Sequence, residues 1–126
     1  MSDKPLSKTK RIMVADDDPA ILDVMRMMLE LEGYEVSTTL NGIAVLKMET
    51  ELPDLLLLDI RMSGADGRDI CRKLKQSELT NKIPVVLVSA SKDIEQSALE
   101  AGANDFIAKP FEMTELLEKI EKNINR

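Results

Sequence analysis

The apolar and polar positions of this chain change period repeatedly, and the changes mark out alternating strands and helices. Ile12 to Ala15 is a short apolar run, read as a buried strand. Ile21, Leu22, Met25, Met28 and Leu29 then recur at helical spacing, with the methionines as core filler. Asp18 stands before Pro19 at the start of that stretch, a helix cap followed by proline in the first turn, and Gly33 closes it. Tyr34 to Thr38 alternates like a strand, and a weaker helical pattern runs from Asn41-Gly42 to Glu51. Pro53 interrupts the chain before Leu55 to Leu58, whose unbroken aliphatic character predicts a central strand covered on both faces. The segment Ser63 to Gly67 reads as a loop, and a third helix carries Ile70, Cys71 and Leu74. Pro84 precedes a buried strand at Val85 to Val88, and a helix from Asp93 to Ala101 stops at Gly102. Phe106 to Ala108 is a fifth short strand, and Met113, Leu116, Leu117, Ile120 and Ile124 stripe a last helix.

Five strands separated by helices predict an α/β domain of (βα)₅ form, a parallel sheet with helices on both faces. The expected strand order is the flavodoxin-like 2-1-3-4-5, which makes strands 1 and 3 neighbours. Ligands of such sheets bind beyond the C-terminal ends of the strands, where the order reverses. Asp16 and Asp17 follow strand 1 and Asp59 follows the leucines of strand 3, so this one rule brings three acids together. Residues 1–10 lack apolar periodicity and read as a flexible tail; residues 11–126 form one domain.

Composition narrows the chemistry. A chain of 126 residues can bury about two-thirds of its unfolded surface, so it needs no disulfide or structural metal to fold. The single Cys71 falls on an apolar helix face as an inert thiol. Net charge is −6, from 17 basic and 23 acidic residues, which disfavours direct binding of nucleic acid. The longest aliphatic run is far too short to span a bilayer, and the polar N-terminus lacks a signal-peptide core. A cytoplasmic protein is expected. The absence of histidine excludes a Ser–His–Asp triad, a Cys–His pair and His-ligated zinc. Any metal must therefore be held by oxygen, which suits Mg²⁺, Mn²⁺ or Ca²⁺. Carboxylates gathered at two strand ends repel one another unless a cation lies between them.

Two more groups end strands on the same edge: Ser89 with Ala90 after strand 4, and Lys109 with Pro110 after strand 5. Taken in order, MVADDDPAI, LLLLDIRMSGADG, VVLVSAS and GANDFIAKPF resemble the receiver domain of two-component response regulators, from Lys10 to the end of the chain. The resemblance implies that Asp59 accepts a phosphoryl group from a phosphohistidine on a sensor histidine kinase or phosphotransfer protein. It implies Mg²⁺ ligated by Asp17, Asp59 and the backbone carbonyl of Arg61, with Asp16 acting through the metal or its waters; Mn²⁺ is an alternative ion. Ser89 would bond a phosphoryl oxygen, and Lys109 would pair with the phosphoryl group, or with Asp59 before transfer. Ser89 and Phe106 would form the switch, altering a face made by the fourth helix, fifth strand and fifth helix. That face would meet a downstream protein and could support a phosphorylation-linked homodimer. The resemblance also allows a cis peptide at Lys109-Pro110.

Some positions depart from the family pattern. Ser63 stands where proline is frequent, and Arg61 and Ser91 occupy positions that tune dephosphorylation in the family. Asp18 is expected only to cap its helix. The expected module is a signalling domain, no enzyme beyond its own phosphorylation and dephosphorylation; it either works alone through a protein partner or is the receiver part of a longer regulator. Two alternatives remain open. A Mg²⁺-dependent aspartyl-phosphate hydrolase would need a second Asp two residues after the nucleophile, where Arg61 stands. A phosphorylation-independent scaffold of the same fold would leave the assembled site unused.

Overall fold

Burial on both faces of a central strand dictates the architecture. The computed structural model describes residues 9–62 and 64–125. Most of the expected N-terminal tail, and Ser63, lie outside the described residues. Strands β1 (Arg11–Ala15), β2 (Glu35–Thr39) and β3 (Leu55–Asp59) are followed by a short pair, β4 (Arg61–Met62) and β5 (Ala65–Asp66), and then by β6 (Val85–Ser89) and β7 (Asp105–Ala108). The main sheet is five-stranded and parallel, in the order β2-β1-β3-β6-β7. With the short pair set aside, this is the expected 2-1-3-4-5. The helices are α1 (Pro19–Leu31), α2 (Gly42–Leu46), α3 (Gly67–Gln76), α4 (Ile94–Ala101) and α5 (Met113–Ile124).

The four leucines of β3 divide by parity, as side chains on a strand must. Leu56 and Leu58 join a core with α2, α3 and α4, while Leu55 and Leu57 join a second core with α1 and α5. All four are buried, each contributing about 2 kcal/mol of apolar transfer relative to exposure. The register then sets the site. Ala15 lies beside Leu58, so the next residues, Asp16 and Asp59, stand side by side at the ends of β1 and β3. Ser89 lies beside Ala108 on the neighbouring pair.

Three local expectations are corrected. Helix α2 ends at Leu46 rather than Glu51; Lys47 closes it, and Met48 and Leu52 reach the same core from non-helical backbone. The segment Ser63 to Gly67 is not wholly loop: Ala65–Asp66 pairs antiparallel with Arg61–Met62. Strand β7 starts one residue early, at Asp105. Among the described residues, no helix is long and apolar enough to cross a membrane.

Candidate functional site

Each element ends so as to present a polar group at one edge. Asp16 follows β1, and its Oδ1 accepts the Asp18 N–H at 3.0 Å, which folds the Asp16–Asp18 turn. Asp18 in turn accepts the Ala20 N–H at 3.0 Å and caps α1, as expected of Asp before proline. Asp59 is the last residue of β3, and its Oδ1 accepts the Arg61 N–H at 3.2 Å. The hairpin after it curls back so closely that the Gly67 N–H reaches the Ile60 carbonyl at 2.7 Å. A Cβ at Gly67 would overlap the Asp59 carbonyl oxygen and the Ile60 Cα, so only glycine fits there. Ser89 ends β6; its Oγ accepts the Ser91 N–H at 3.0 Å and its carbonyl accepts the Lys109 N–H at 2.9 Å. The Lys109-Pro110 peptide is cis.

These ends enclose a cleft of about 480 Å³ lined by Asp16, Asp17, Asp59, Arg61, Ser89 and Lys109. Every residue named from sequence for the site itself therefore borders it; Phe106 lies outside, half-buried on the α4 side. Asp59 is 6% exposed and Asp16 4%, whereas Asp17 is open to solvent. Lys109 does more than pair with one acid. Its Nζ lies 3.0 Å from Asp59 Oδ2 and 3.1 Å from Asp16 Oδ2, bridging the two buried carboxylates.

One lysine does not balance three acids. Oxygens of Asp16, Asp17 and Asp59 all lie within 4.8 Å of one another. Burial pushes the Asp59 carboxyl above its ordinary value and the Asp16 charge adds to the rise, against the opposing effect of Lys109 and the Arg61 N–H. Burial pulls the Lys109 ammonium down, but its bonds to Asp59 and Asp16 outweigh this and hold it above its ordinary value. The donors are hard oxygens, two of them buried, with net negative charge. That set fits a hard divalent cation such as Mg²⁺.

A second lysine–carboxylate cluster escaped the sequence reading. Asp105 opens β7 and accepts bonds from Lys119 Nζ at 2.9 Å and Asn123 Nδ2 at 3.0 Å. The Phe106 N–H also donates to it, at 2.9 Å. Its partners lie 14 and 18 residues away on α5, and no local pattern announces them.

Comparison with known proteins agrees with this geometry. The family profile for the response regulator receiver domain matches residues 12–121. The DNA-binding dual master transcriptional regulator RpaA of Synechocystis is 35% identical over 119 residues, covering 92% of this chain and 49% of that protein. The chain thus spans about half the length of this curated relative. A response regulator from Chloroflexus aurantiacus superposes with a TM-score of 0.87 at 34% identity, covering 94% of this chain and 100% of that one. The receiver domain of sensor histidine kinase PA1611 from Pseudomonas aeruginosa, with a magnesium ion coordinated in its active-site cleft, gives a TM-score of 0.84 at 30% identity, covering 94% of this chain and 100% of that one. The acidic pocket of Asp16, Asp17 and Asp59 fits the phosphorylation site of such regulators. A parallel sheet in this order, with its acids and lysine on the switch-point edge and a profile match along nearly its whole length, places the chain in the family of response regulator receiver domains.

Proposed function

We propose that this chain is a phospho-accepting signalling module in which Asp59 takes a phosphoryl group from a histidine kinase or phosphotransfer protein. The observation that carries the reading is a buried Asp59 carboxylate, 3.0 Å from Lys109 and clustered with Asp16 and Asp17. An Asp59 oxygen attacks phosphorus, the P–N bond of a phosphohistidine protonated on its other ring nitrogen breaks, and an acyl phosphate forms as neutral imidazole departs. Asp17, Asp59 and the Arg61 carbonyl would hold Mg²⁺, or Mn²⁺ in its place, with Asp16 assisting. The bound ion supplies positive charge against the equatorial phosphoryl oxygens. Lys109 supplies a second positive charge, and Ser89, whose Oγ accepts the Ser91 N–H, has its own hydroxyl hydrogen to donate to a phosphoryl oxygen. Water later cleaves the acyl phosphate, so the domain catalyses only its own phosphorylation and dephosphorylation.

Output follows from Ser89. Residues on neighbouring parallel strands share a face at paired positions, and Leu87 pairs with Phe106 while Ser89 pairs with Ala108. Ser89 and Phe106 therefore lie on the same side of the sheet, and withdrawal of the hydroxyl opens room for the ring. The altered face of α4, β7 and α5 meets a downstream protein or a second copy in a phosphorylation-linked homodimer. Neither nucleic acid nor membrane is a direct partner in this reading, and the working compartment is the cytoplasm. Residues 11–126 constitute the receiver unit. The hydrolase alternative lacks its general acid: Arg61 stands two residues past Asp59, and a guanidinium has no proton to give at neutral pH.

Incubation with acetyl phosphate and Mg²⁺, followed by intact mass measurement, tests the reading. The expected result is one phosphoryl adduct that disappears in Asp59→Asn. No adduct in the parent protein, together with no response to beryllofluoride, overturns it.

A further inference from the structure

Asp105 and Phe106 are consecutive on β7, so their side chains leave opposite faces of the sheet. Asp105 meets α5, while Phe106 packs on the α4 side with the core that holds Ile94 and Ala98. Lys119 contacts both. From α5 it bonds Asp105 Oδ1 at 2.9 Å and places its ammonium 4.9 Å from the centre of the Phe106 ring. It does this at β7, the edge strand, where no further strand intervenes. Lys122 also lies near Asp105, at 3.8 Å. Among the described residues Lys119 is the cation stacked on an aromatic ring.

We propose that Lys119 is a positioning residue for the switch: anchored by Asp105, it holds the Phe106 ring at the sheet edge and opposes its inward turn. This rests on the reading of Ser89 and Phe106 as the coupled switch. A cation over a ring favours the ring position that preserves the contact. An inward turn withdraws the ring and breaks that contact, while the Asp105 bond keeps the ammonium behind. Lys119 thus biases the unphosphorylated domain toward the resting arrangement, and any ligand that drives the switch must overcome that bias.

The test uses beryllofluoride with Mg²⁺ and protein labelled with fluorophenylalanine. The chain has two phenylalanines, so Phe111 serves as an internal reference for the Phe106 fluorine resonance. In Lys119→Met, the ligand-free Phe106 resonance should move toward its beryllofluoride-bound position, and apparent affinity for beryllofluoride should rise about two- to fivefold. Asp105→Ala, which removes the anchor without deleting Lys119, should move both readouts the same way. Lys119→Arg should restore the parent values, and Lys122→Met, which removes a nearby charge not stacked on the ring, should leave them unchanged. Parent-like affinity and an unmoved resonance in Lys119→Met overturn the proposal. An equal effect from Lys122→Met also overturns it, because general charge would then be the cause. If the parent protein itself fails to respond to beryllofluoride, the receiver reading has failed and the latch falls with it.

Discussion

Two lysine–carboxylate pairs sit on this sheet at nearly the same separation, Asp59–Lys109 at 3.0 Å and Asp105–Lys119 at 2.9 Å, and their chemistry is opposite. The Asp59 carboxyl is pushed up by burial and by Asp16. Asp105 is also raised by burial, but donation from Asn123, Lys119 and the Phe106 N–H more than reverses it and holds the carboxyl below its ordinary value. Distance to the lysine therefore does not decide the outcome; the rest of the neighbourhood does. Around Asp105 the named contacts are donors or cations. Around Asp59 a second buried acid shares the same lysine, leaving negative charge that invites a cation. One pair is satisfied and ties α5 to the sheet, and the other is kept incomplete for work.

The contrast can be broken first at its structural end. Asp105→Ala removes the carboxylate that Asn123 Nδ2 and Lys119 both bond, and should lower stability by about 2–3 kcal/mol in urea unfolding. At the other end, Asp59→Asn removes a repelling charge and should raise stability by about 1 kcal/mol without divalent cation, a gain of several degrees in melting temperature. Added Mg²⁺ should then narrow the gap by stabilising the parent more than the variant, because it binds the folded acid cluster. Equal melting temperatures in chelator would show that Asp59 carries no uncompensated charge.

Acid titration gives the finest distinction. A raised folded pKa means that ionised Asp59 costs stability; the deficit is complete above the raised value and disappears as pH falls through it toward about 4. A lowered folded pKa means that Asp105 contributes stability above about 4, lost as pH falls through the lowered value. On acidification, the advantage of Asp59→Asn over the parent should therefore close first, and the deficit of Asp105→Asn should close later. Unfolding curves collected across this range check the order, and simultaneous closure would erase the distinction.

The two pairs also differ in how far sequence reveals them. Asp16, Asp17 and Asp59 were legible because each follows an apolar run and one topological rule converges their strand ends. Ser89 and Lys109 followed by the same reasoning, aided by the resemblance. What was missed depends on register between distant elements. Asp105 looked like the residue before a strand, and its partners on α5 became visible only once that helix was packed on β7. Bridging of Asp16 by Lys109 was hidden for the same reason. The β4–β5 hairpin was obscured because two-residue strands carry no periodicity, and Gly67 read as a turn residue rather than as the one residue the Asp59 carbonyl leaves room for. Helix α2 was overextended because a weak apolar pattern does not say where helical backbone stops.

The reach of Lys109 has one more consequence. It meets Asp59 across 50 residues of chain and Asp16 across 93. No fragment of the chain lacking β7 can gather these groups, and within the sheet β7 is held by β6 alone. Competence to receive a signal is thereby tied to completion of folding. A chain broken before β7 holds the same acids without the lysine that joins them.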